Sequence, residues 1–165
     1  MKKQMNFRNI LATTGLLVLS LMLTRCGSNN SNSTTSNAAI TPSFASIYTN
    51  VLSQACIQCH VPGTSVYINN NVHLDFTSAS TAYSSLTGLT SSGVSSSSCN
   101  GIKYVTPGSP SSSYLAAVLF ADYNTSGFAG DSGCTPYATH LSDQNISSAE
   151  ETAIIAWINA GAANN

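Results

Sequence analysis

The chain has 165 residues, 42% of them hydrophobic and only 7% charged. Beyond position 26, Lys103 is the sole Lys or Arg, whereas all six acids (Asp75, Asp122, Asp131, Asp143, Glu150 and Glu151) lie there, one base against six acids and a net charge of −5. That balance excludes a nucleic-acid partner, because nothing neutralises phosphates, and it favours a basic partner on encounter. The rest of the surface is rich in Ser, Thr and Asn, a secreted-protein composition in which hydroxyls and amides maintain solubility.

In chain order, Lys2, Lys3 and Arg8 form a basic segment ahead of a short apolar run from Gly15 to Leu23. This is the pattern of an export signal, and the run is short for a membrane-spanning helix. It ends at Leu23-Thr24-Arg25-Cys26-Gly27, which resembles a bacterial lipobox with Cys26 as the lipidated residue. Arg25 stands where the pattern has a small residue, so a plain secretory signal or an uncleaved anchor is the alternative. Residues 1–25 are thus read as a signal peptide of lipoprotein type. Residues 26–40, including the polar stretch Asn29 to Asn37, are read as a flexible tether. Residues 41–165 form one domain, large enough for a single core.

Thr41-Pro42 is a helix start signal, with Thr41 as N-cap and Pro42 at the first helical position. Phe44, Ile47, Tyr48, Val51, Leu52 and Ala55 follow at helical spacing. The helix runs into Cys56-Ile57-Gln58-Cys59-His60. C-x-x-C-H is the attachment pattern of c-type haem. Two thiols add across the porphyrin vinyl groups, and the adjoining imidazole becomes the proximal iron ligand. The spacing suits that chemistry, since one turn of backbone carries both thioethers to one haem edge with the histidine beneath the metal. A thioredoxin-type disulfide would want a βαβ context, and half a zinc site would want a second Cys/His pair at similar spacing. The sequence offers neither. Haem c attached through Cys56 and Cys59, with His60 proximal, is the expectation.

Further along, Ala82, Tyr83 and Leu86 place a helix near Ala79 to Leu86. Ser91 to Ser98 is a serine-rich loop. Ser109-Pro110 is a second N-cap and proline pair, opening a helix with Tyr114, Leu115, Val118 and Leu119 as its buried side. Ser147-Ser148-Ala149-Glu150 is a capping box for a last helix, whose Ile154, Trp157, Ile158 and Gly161 share a face. Trp157 reads as packing between the terminal helices, Tyr48, Tyr83 and Tyr114 as core aromatics with a polar tip, and Asp75 as a turn acid.

A helix ending in C-x-x-C-H together with an aromatic C-terminal helix resembles the class I cytochrome c fold, and more narrowly the bacterial mono-haem cytochrome-c-like domains. Four pieces carry the resemblance in order: Phe44…Leu52…CIQCH; His73-Leu74-Asp75-Phe76…Ala82 to Leu86; Val105 to Pro110…Ser113-Tyr114-Leu115; and Ile146 to Glu150…Trp157 to Ala162. The resemblance implies a mainly α domain of short helices wrapped around one covalently bound haem, with long loops. One departure bears on mechanism. The family's distal ligand is usually a methionine shortly before the last helix, and this chain has no methionine after Met22. His140 stands near the expected position, making His60 and His140 the expected axial pair. His73 is a second candidate, though it reads better as a polar residue at a strand edge, and an iron without a distal protein ligand is the third possibility. Imidazole in place of thioether implies a lower potential.

Cysteine usage closes on the same scheme. With Cys26 lipidated and Cys56 and Cys59 holding haem, Cys99 and Cys134 remain to form a disulfide in an oxidising compartment. The implied function is a one-electron carrier tethered to the cell envelope by a lipid anchor and exchanging electrons with redox partner proteins. Such a carrier is periplasmic or on the cell surface and is not an enzyme. A haem sensor or small-ligand binder with an open distal site, including a weak peroxidase, is the competing class, and a structural haem is a third.

Overall fold

A computed structural model describes residues 39–65, 67, 72–91, 99–125, 128, 134–136, 140–141 and 145–165. The signal peptide, Cys26 and most of the tether expected from sequence lie outside these residues, as does the serine-rich stretch 92–98. The described chain is mainly helical. Within it the antiparallel bridge Thr90–Lys103 is isolated and belongs to no named strand.

The first helix opens two residues later than Thr41-Pro42 suggests. Helix α1 spans Phe44–Ile47 and its N-cap is Ser43, whose hydroxyl accepts from the Ser46 N–H. Thr41 fails as the cap because its own hydroxyl pairs with Ser43 Oγ at 3.2 Å, while its N–H donates to Ser46 Oγ. The helix then widens into a π-helical segment, Tyr48–Cys56. Polar side chains bond back to its carbonyls: Ser53 Oγ donates to Thr49 O at 3.1 Å and Asn50 Nδ2 to Ser46 O at 2.8 Å. Such local bonds compete with the α ladder and loosen it. The buried stripe survives the widening, with Phe44, Ile47, Val51 and Leu52 each about 1% exposed.

Helix α2, Ala79–Gly88, is fixed by a capping box between Ser78 and Thr81. Between α2 and α3 the chain turns back on itself. Buried Ser91 accepts the Ile102 N–H on Oγ and donates that hydroxyl to Cys99 O. Cys99 and Cys134 form a disulfide with Cα atoms 4.8 Å apart. Pro110 opens only a short 3₁₀ turn, Pro110–Ser112, and helix α3, Tyr114–Leu119, starts afresh after Ser113. Ser113 is fully buried and explains the break. Its hydroxyl accepts the Thr106 N–H at 2.9 Å and donates to Ser109 O, knotting the turn ahead of the helix. All six residues of α3 are buried, so the expected one-sided stripe is in fact a core helix.

Helix α4, Ser148–Asn159, carries the expected capping box: Glu150 N donates to Ser147 Oγ, and Ser147 N to Glu150 Oε2 at 2.7 Å. Ile154, Trp157 and Ile158 are buried, but Gly161 is not. The helix has ended by then, and Gly161 takes φ 97°, the left-handed conformation that terminates a helix.

The two ends of the described chain meet. Trp157 packs on Phe44 with ring centroids 5.4 Å apart, and Tyr83 meets Phe44 edge-on at 5.2 Å. Asn165 Oδ1 accepts from Phe44 N and Asn165 O from Ala45 N, at 3.0 and 2.9 Å. Two orphan donors at the α1 N-terminus are thereby satisfied by the last helix's tail. Burying Phe44 and Trp157 in one contact stabilises the pairing of α1 with α4 by several kcal/mol in order of magnitude.

Candidate functional site

The π-helical winding delivers the chain into CIQCH and then tightens there. Ile57 N reaches Leu52 O, five residues back, at 3.0 Å. His60 N reaches Cys56 O, four back, at 3.0 Å, and Cys59 N reaches the same carbonyl, three back, at 3.2 Å. Thr64 closes the turn beyond, its hydroxyl donating to Cys59 O at 2.5 Å and to Val61 O at 2.9 Å. Cys56, Cys59 and His60 are therefore held on one short, hydrogen-bonded turn.

His60 is 8% exposed, and its Nδ1 is buried without a hydrogen-bond partner among the described residues. Burial, and secondarily the neighbouring His140, push its pKa down to about 4, so the imidazole is neutral at physiological pH. A neutral imidazole is the form that binds a metal. The His140 ring lies 6.1 Å from the His60 ring, centroid to centroid, with planes at 84°. His73 lies elsewhere: it is exposed and its ring meets Tyr67 at 5.1 Å. Of the two distal candidates, the fold brings His140 to His60.

Cys56 is a free thiol, half-buried as a residue. Burial first, and the Glu150 carboxylate second, push its pKa up to about 12. Cys59 is disulfide-bonded. Asp75 is a turn acid, its Oδ1 accepting both the N–H and the hydroxyl of Thr77. Among the described residues no group of three or more His, Cys, Asp or Glu is arranged to hold a metal ion. None of their helices is long and apolar enough to cross a membrane. A separate concavity of about 420 Å³ lies along α4 and Asp122-Tyr123, and no residue of CIQCH lines it.

Two residues of the site escape a motif reading. Phe76 packs its ring 5.2 Å from His60, and its N–H donates to His60 O at 2.8 Å. The alternation of buried Val72, Leu74 and Phe76 marks it as core but not as a neighbour of the motif. Glu150 is legible as a cap, yet its approach to Cys56 follows only from α4 packing across α1.

No family model, curated protein or solved structure matches this chain.

Proposed function

We propose that this protein is a c-type cytochrome of class I-like fold, a one-electron carrier with a single haem c on Cys56 and Cys59 and with His60 and His140 as axial ligands. The observation that carries the reading is the pairing of the two imidazoles. Two rings on opposite sides of one metal, each with a metal–nitrogen bond of about 2.0 Å and a ring radius of about 1.1 Å, have centroids about 6 Å apart. The rings of His60 and His140 are 6.1 Å apart. A bare cation would want further protein ligands, and none is grouped with the pair among the described residues. A porphyrin brings its own four nitrogens.

The residues fit the group in other respects. His60 is buried and neutral. Cys56 sits one helical turn before it, and Phe76 packs its ring 5.2 Å from the imidazole. Bound haem supplies an iron that takes up and releases one electron. His60, neutral by burial, and His140 would supply two nitrogen donors, and their identity would set the potential below that of a His/Met site. Attachment would add each S–H across a vinyl double bond, so both sulfurs must be thiols, and the Cys59 disulfide would first be opened by exchange with an external dithiol, which is oxidised to its own disulfide. The signal-like N-terminus and the lipobox-like Cys26 support a carrier held in the cell envelope, and a charge of −5 beyond position 26 suits basic redox partners.

The test is the optical spectrum of protein matured with haem-attachment machinery. A low-spin spectrum without a methionine–iron band, turned high-spin by His140→Ala, is the expected result. A high-spin spectrum in the unmutated protein would overturn bis-histidine ligation and favour a sensor or ligand binder with an open distal site. A chain that takes up no haem would remove the reading altogether.

A further inference from the structure

Phe76 is gripped from three sides. Its backbone N–H donates to the His60 carbonyl at 2.8 Å, its own carbonyl accepts the Tyr48 hydroxyl at 3.2 Å, and its ring lies 5.2 Å from the His60 ring at 48°. It is 2% exposed. An aromatic ring fixed at both backbone ends has little freedom, and a ring packed beside it loses freedom in turn. His60 needs such a restraint, because its Nδ1 makes no hydrogen bond that would otherwise set the ring's rotation. The His140 plane stands at 84° to that of His60.

We propose that Phe76 is a positioning residue for His60: its clamped ring sets the imidazole plane and so maintains the crossed arrangement with His140. Tyr48 acts one step back, holding the Phe76 backbone from the π-helical segment. This inference rests on the bis-histidine reading and adds to it an electronic consequence. In low-spin ferric haem, crossed imidazole planes leave the iron orbitals nearly degenerate and give one large g value, whereas parallel planes give a rhombic spectrum. The electron paramagnetic resonance spectrum therefore reports the angle that Phe76 maintains.

The experiment compares haem-loaded wild type with Phe76→Leu, Tyr48→Phe and a core truncation elsewhere, Leu119→Ala. The expected results are a large-g signal in wild type, its loss to a rhombic signal in Phe76→Leu, and a partial shift the same way in Tyr48→Phe. Leu119→Ala lowers the melting temperature and leaves the g values in place. A rhombic wild type, or unchanged g values in Phe76→Leu, would overturn the proposal. Should Phe76→Leu fail to fold, Tyr48→Phe decides, and an unshifted spectrum there overturns it equally. If the chain takes no haem, the function falls separately, and NMR of the haem-free protein decides the positioning. The ring-current displacement of the His60 ring protons must then change in Tyr48→Phe, which keeps the Phe76 ring and removes only its restraint; an unchanged displacement sinks the idea.

Discussion

The Cys56 thiol has a pKa near 12 instead of the ordinary 9.0, because burial and the Glu150 carboxylate both oppose the thiolate. Thiolate is the reactive form, so three pKa units at mildly alkaline pH amount to about a thousandfold slower alkylation than an open cysteine shows. Iodoacetamide labelling of the folded, haem-free protein, with and without denaturant, measures that ratio directly. His60 titrates in the opposite sense. Its folded pKa of about 4 lies below the unfolded 6.5, so between those values the unfolded chain binds more protons. Stability of the haem-free protein is thus fully present above about pH 6.5 and falls as the pH drops toward 4, by at most about 3 kcal/mol from this residue. Urea melts across that window check it, and His60→Gln should flatten the slope.

Among the elements, α4 shows how far local chemistry reaches. Ser147→Ala removes one half of its capping box, and the expected cost is about 1 kcal/mol, or a fall of about 4 °C in melting temperature by calorimetry. That cap was legible because Ser147 and Glu150 lie three apart and the bond between them is local. The last helix's buried face was legible for the same reason, as far as Ile158. The α1 cap was not: Thr41 and Ser43 compete for one role, and the choice follows from which hydroxyl reaches Ser46. Nor was the π winding, which depends on back-bonding from Asn50, Ser53 and Gln54 to carbonyls that any helix offers. At the site, the expectation for CIQCH rests on its spacing alone. The approach of His140, Phe76 and Glu150 is set by tertiary packing and leaves no local trace; His140 entered only through its place before the last helix.

Over the whole molecule, the Cys99–Cys134 bridge spans 35 residues. Closing a loop of that size is worth about 3–4 kcal/mol in the chain-entropy view, so Cys99→Ser with Cys134→Ser should lower unfolding free energy by about that much in urea. His140 follows Cys134 by six positions, and the same double variant should raise the high-spin fraction of the haem-loaded protein if the bridge steadies the distal side.

The Asn165 contacts with Phe44 and Ala45 also have a meaning in time. Phe44 and the π-helical segment that leads to Cys56 lie early in the domain, while the groups that cap and cover α1, Trp157 and Asn165, come about a hundred residues later in the chain. Until they arrive Phe44 has no lid, the π-helical segment is unsupported, and Glu150 is not yet beside Cys56. The sulfur that is nearly inert in the finished fold is an ordinary accessible thiol throughout that interval. Closure of the Trp157–Asn165 segment over Phe44 therefore separates two states of one sulfur, an open thiol before the contact forms and a buried, slow one afterwards.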